Sequence, residues 1–244
     1  MALSFALTNG LVFALSRSRA MQFGLHELIG ALFLVSAIWS VRRDGDATRR
    51  YGIRLGGIFP GAEGDDRSLV RAVWEGIPGA LRETAIAIAV AAVVLPVYAF
   101  FWPMFNRVPA ARHFALDGEH ARQIATHLFA IALTEEMYFR GFVQTRLGDA
   151  FGVVVTAPVV GAPRESLRAI ADRTLGNPRL LAAIALASLL FAITHVTVEV
   201  TLARAVVFFP GLLFGVVRAW RGGIGAAVMV HAISNVFEQW LEGR

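Results

Sequence analysis

Glu135, Glu136 and Arg140 stand inside an otherwise apolar run, Thr134-Glu135-Glu136-Met137-Tyr138-Phe139-Arg140. Each ionisable side chain taken into hydrocarbon costs roughly 2.5 to 3.5 kcal/mol on insertion scales, so a chain keeps such groups where they are paired or used. Residues four apart share a helix face, so Glu136 lies beside Arg140 in the favourable order, acid first. Glu135 is turned about 100° away and lacks that partner. One carboxylate can hold the arginine while the other faces something else. Carboxylates are groups of general acid and base chemistry, as are the imidazoles found further along the chain.

Those imidazoles are His195, in Phe191-Ala-Ile-Thr-His195, and His231, in His231-Ala-Ile-Ser-Asn235. The spacing of four puts His231 and Asn235 on one helix face. A lone membrane histidine is more often an interhelical hydrogen bond than a catalyst. Glu136 with Arg140 alone reads as a structural ion pair. An unpartnered Glu135 together with two histidines and an amide, on three separate apolar segments, is harder to explain as packing and favours function. Glu199, just beyond His195, reads as an interfacial residue.

The elements that must position these groups are membrane helices. Of 244 residues 56% are hydrophobic and only 17% charged, and mean hydropathy is +0.59. The apolar blocks approach or exceed the length that spans a bilayer. The expected fold is all-α, a polytopic transmembrane bundle of about six to eight membrane helices. Spans are expected near 22–41, 79–102, 121–147, 179–197, 201–219 and 223–241, with residues 1–15 a short span or an interfacial helix. Pro96 is expected to kink its span. Gly211 and Gly215 form a G-x-x-x-G that permits close helix approach. His26-Glu27 lacks the second histidine of H-E-x-x-H and reads as an interfacial pair at a helix start. The chain divides into residues 1–119, membrane helices with a basic loop at 42–78, and residues 120–244, the part that bears the motifs.

There is no cysteine, and all 23 basic residues are arginine. Disulfides, thiolate chemistry and lysine nucleophiles are thereby excluded. A pI near 10.8 suggests nucleic acid, but the arginines fall between apolar blocks, where they set orientation. No nucleic-acid partner is expected. By the positive-inside tendency the loops at 42–78 and 148–178 face the cytoplasm. Glu135 and His231 then lie near mid-depth, and the site opens toward the outer half of the bilayer.

The three motifs, in this order, resemble those of the CPBP family of CAAX-protease and bacteriocin-processing membrane enzymes, which includes the type II CAAX prenyl endopeptidases. That family shows E-E-x-x-x-R, F-x-x-x-H and H-x-x-x-N or D. They stand here as Glu135-Glu136 to Arg140, Phe191 to His195 and His231 to Asn235. The likeness covers residues 120–240. Its usual glycine and alanine before the middle histidine are here Ile193 and Thr194, a departure that bears on substrate fit more than on chemistry.

The resemblance implies an intramembrane glutamic endopeptidase. Glu135 would be the general base and His195 would help to hold the water. His231 and Asn235 would stabilise the oxyanion, and Glu136 with Arg140 would brace the site. It implies no cofactor. A rival reading makes Glu135, His195 and His231 zinc ligands with Glu136 as base. A second rival is a non-catalytic scaffold or peptide chaperone of the same fold. The expected partners are the lipid bilayer and a protein or peptide substrate with a membrane-associated tail, cut near its C-terminus. The expected location is the bacterial inner membrane, as a multi-pass protein.

Overall fold

The computed structural model describes residues 1–18, 27–44, 47–53, 68–105, 118–154 and 166–242. His26, Arg54, Arg67, residues 106–117, Pro158, Pro163 and Arg164 lie outside the described residues. In chain order the helices are α1 (Ala2–Ser16), α2 (Glu27–Val41), α3 (Ala47–Arg50) and α4 (Leu69–Phe105). A composite α5 follows over 118–150. Then come α6 (Leu167–Thr174), α7 (Pro178–Val198), α8 (Leu202–Val206), α9 (Phe208–Arg221) and α10 (Gly225–Glu242). No strand occurs among the described residues, so the all-α expectation holds.

Three helical stretches are long and apolar enough to cross a membrane: Val70–Met104, Pro178–Val198 and Leu202–Arg221. Helices α1 and α2 are apolar but shorter. Several boundaries differ from expectation for local reasons. α4 begins ten residues before the expected 79, because Val70, Trp74 and Ile77 form a helical prelude that its charged neighbours Arg71 and Glu75 made look like loop. It runs through Pro78, Pro96 and Pro103 as one helix. The expected span 201–219 is two helices. Pro210 has no N–H to give Val206 four residues back, and the helix breaks there, at Val207. Within the expected loop 148–178, Ser166 caps α6 by accepting from the Ala169 amide.

Lipid offers little hydrophobic drive between helices, so close packing and interhelical hydrogen bonds hold the bundle. Gly211 and Gly215 serve the first. A Cβ at Gly215 would lie 2.6 Å from Ile184 Cγ2, and one at Gly211 would lie 3.2 Å from Ser188 Cβ. Thus α9 sits tightly on α7 as the G-x-x-x-G implies. A third close approach is Gly30 of α2, whose Cβ would meet the Ala130 carbonyl oxygen of α5 at 1.9 Å.

One apolar core draws on both halves of the chain. Phe33 of α2 packs its ring against Tyr138 and Phe139 of α5, each at 5.4 Å. Phe139 in turn meets Phe191 of α7 at 5.0 Å. At one end of the bundle Asp44 accepts from Tyr51 and Arg146, and Arg50 pairs with Asp149 at 2.8 Å. Burial, and then the bond to Asp44, push the Tyr51 phenol up, so it stays a donor. These contacts place the segments before and after α5 that were expected on one side of the membrane at one end of the bundle.

Candidate active site

The acidic motif lies on a helix that is not wound uniformly. Leu133–Glu136 is ordinary α-helix, but Thr126–Ala132 before it and Met137–Val143 after it are π-helix. Such wide turns are rare and concentrate at functional sites. Thr134 donates its hydroxyl to the carbonyls of Ala130 and Ile131 at 2.8 and 3.0 Å, at the junction. The expected neighbour pair survives the change of winding: Arg140 Nε lies 3.4 Å from Glu136 Oε2, and both side chains are fully buried. Arg140 also donates to the Gly211 carbonyl at 3.0 Å and lies over the rings of Phe191 and Phe214. A buried guanidinium is thus matched to a carboxylate, a carbonyl and two aromatic faces.

His231 meets both carboxylates. Its Nδ1 is 3.0 Å from Glu136 Oε1, and its Nε2 is 3.8 Å from Glu135 Oε2. The Phe214 ring stacks on it at 4.7 Å and 18°, and Phe191 presents to it edge-on at 6.1 Å. A carboxylate can only accept, so Nδ1 carries the proton and Nε2 is the nitrogen turned toward Glu135. Glu136 therefore does more than brace Arg140: it fixes the tautomer of His231. That contact was absent from the sequence reading, because it joins residues 95 positions apart.

His195 is fixed in a similar way. Its Nδ1 lies 3.0 Å from the Phe191 carbonyl oxygen, so Nδ1–H donates and Nε2 is left to act. Its ring is 4.4 Å from that of Phe191, the same side chain that touches His231, and the charges of Glu135 and His231 both act on it. The structure thus brings Glu135, His195 and His231 to one place. Asn235 lies one turn beyond His231 on α10, half-buried. Glu199 does not join them. It is exposed at the end of α7 and pairs with Arg204 at 3.4 Å, as an interfacial residue would.

Glu135 Oε2 is buried and has no hydrogen-bond partner in the protein. Leaving a carboxylate oxygen so placed is costly, and Glu136 Oε2 is likewise without a hydrogen bond, the Arg140 Nε cation standing 3.4 Å from it. Gln144, which sequence reasoning missed, is fully buried and donates to the Gly215 carbonyl at 3.1 Å, one turn along from the Arg140 bond to Gly211. Its only signal in the sequence was its place four residues after Arg140. Among the described residues no three His, Cys, Asp or Glu side chains are grouped so that they could hold a metal ion. The Glu136 bond to His231 Nδ1 leaves Nε2 as the open ring nitrogen.

The model of one protein family, described as type II CAAX prenyl endopeptidase Rce1-like, matches residues 119–237. No curated protein and no solved structure matches the chain. The matched stretch holds all three motifs and every residue of the carboxylate and imidazole cluster. With its long apolar helices the chain is an integral membrane protein. The residues that converge on His231 lie in the stretch, 119–237, over which the chain is similar to the type II CAAX prenyl endopeptidase Rce1-like family.

Proposed function

We propose that this chain is an intramembrane endopeptidase of glutamic type, which hydrolyses a peptide bond near the C-terminus of membrane-associated or lipid-anchored proteins. The observation that carries the reading is the unpartnered Glu135 Oε2, held 3.8 Å from His231 Nε2 inside the bundle.

In this reading Glu135 takes a proton from a water held also by His195 Nε2, and the water oxygen attacks the scissile carbonyl carbon. The C=O π pair moves to oxygen, and the oxyanion is met by His231 Nε2 and the Asn235 amide. Because Glu136 holds the Nδ1 proton, His231 donates from Nε2 only when its ring carries both protons. The Glu136 carboxylate, 3.0 Å from Nδ1, keeps Nε2 turned toward the site. When the tetrahedral adduct collapses, the C–N bond breaks and Glu135 returns its proton to the leaving nitrogen. The products are a carboxylic acid, which then gives up its proton, and an amine. Nothing in this sequence needs a metal, and the protein is proposed to act without a cofactor.

The experiment is a comparison of C-terminal peptides in membranes carrying the wild-type chain, the Glu135→Gln variant or no chain. Glu135→Gln keeps size and hydrogen bonding but removes the base. New C-termini should depend on the wild-type chain and vanish with the variant. Identical termini in all three membranes would favour the scaffold reading.

A further inference from the structure

Helix α10 has two unlike faces. Ile233, Phe237, Trp240 and Leu241 line an apolar groove of about 480 Å³ against α4. His231, Asn235 and Gln239 recur every four residues and so share another face. That face meets α5, which runs antiparallel to α10. Eight residues on from His231 on one helix therefore meets eight residues back from Glu135 on the other, at His127. The Gln239 side chain accordingly interacts with the His127 ring, which also feels the charge of His231. The α5 side of this contact carries two buried polar atoms without a hydrogen-bond partner, His127 Nδ1 and Glu135 Oε2, and Gln123 Oε1, one turn before His127, is a third. Gln123, His127 and Gln239 take no part in the cluster around His231, and no motif includes them.

Polar groups in lipid that find no protein partner cost several kcal/mol each, so they are kept where water or an extended peptide reaches them. A hydrolase sunk in a bilayer needs such access. We propose that the α5–α10 contact from His127 and Gln239 down to Glu135 and His231 is a hydrated seam, about 12 Å long by helix rise, through which water reaches the site. It starts at the end of the bundle opposite the Asp44 and Arg146 contacts. Its use in catalysis rests on the peptidase reading, but its hydration does not.

The absence of native cysteine allows a direct test in the full-length protein in lipid vesicles. Single substitutions Gln239→Cys, His127→Cys and Gln123→Cys are reacted with a cationic, membrane-impermeant methanethiosulfonate. Phe129→Cys and Val93→Cys serve as lipid-facing controls, since both side chains are exposed on apolar faces. The thiolate is the reactive form and an apolar setting suppresses it, so seam cysteines should label at least about ten-fold faster than the controls. Equal rates would overturn the seam. Should a substitution unfold the protein, deuterium exchange at the ring C2 of His127 in the wild-type chain reads the same access. A ring that does not exchange contradicts the proposal. Fast labelling without proteolysis would keep the seam and refute the peptidase, and proteolysis with lipid-like labelling would do the reverse.

Discussion

At the scale of single residues, two adjacent glutamates meet different partners. Glu136 pairs with Arg140 and accepts from His231 Nδ1, whereas Glu135 lies farther off, 3.8 Å from the second nitrogen of the same imidazole. Glu136→Gln should therefore let the His231 ring turn or give up its Nδ1 proton, so that Nε2 is no longer set for the oxyanion. The loss expected from a mis-set histidine is about 10² to 10⁴ in kcat, with KM nearly unchanged. A variant with wild-type kcat would remove Glu136 from the mechanism. Asn235→Ala should cost about 10² to 10³ in kcat as the loss of one oxyanion donor, again with little change in KM. A matching rise in KM instead would assign Asn235 to substrate binding. Of these roles, the Glu136 to Arg140 pair was legible because it is local. The Glu136 to His231 bond was not, since helical spacing says which residues share a face but not which face of a distant helix they meet.

At the scale of elements, glycine sets where helices may touch, and the three close approaches make unequal demands. The obstacle at Gly215 is a side-chain methyl of Ile184, which can shift. Gly215→Ala should then destabilise by about 1 to 3 kcal/mol, and Ile184→Ala added to it should recover part of the loss. The obstacle at Gly30 is the Ala130 backbone oxygen, which has no rotamer to yield. Thermal unfolding in detergent should rank Gly30→Ala below Gly215→Ala; the opposite order would mean that α2 is not seated on α5 as described. G-x-x-x-G announced the α9 approach in advance, whereas a lone glycine like Gly30 carries no pattern. The π-wound turns around the motif were equally hidden. The apolar run there fits either winding, and contacts with α2, α7 and α10 decide between them. The break before α9 was readable in principle from Pro210, but the apolar run on both sides of it looked continuous.

At the scale of the whole molecule, the family match begins at residue 119, yet the residues before it are part of one core with those after it. Tyr51 is fully buried, and Asp44 joins it to Arg146 at the far end of α5. Asp44→Ala would leave the buried Tyr51 hydroxyl without its acceptor, a loss of about 1 to 3 kcal/mol. Tyr51→Phe removes donor and need together and should cost less. Equal losses would show that the stranded hydroxyl carries no penalty beyond the lost bond. The all-α membrane character was plain from composition, because apolar blocks of spanning length leave few alternatives. The part played by the first half of the chain was not, since no motif marks it and its contacts are made by single aromatic and glycine residues.

The most direct measurement uses purified chain in lipid vesicles with a membrane-anchored substrate, drawn from those whose C-termini change in membranes. Cleavage is followed for the wild type, for wild type after exhaustive chelation and for Glu135→Gln. The expected result is cleavage that survives chelation and falls by about 10² to 10⁴ in the variant, the share a positioned general base supplies. Cleavage that stops with chelation, or persists in Glu135→Gln, would contradict a glutamate-activated water.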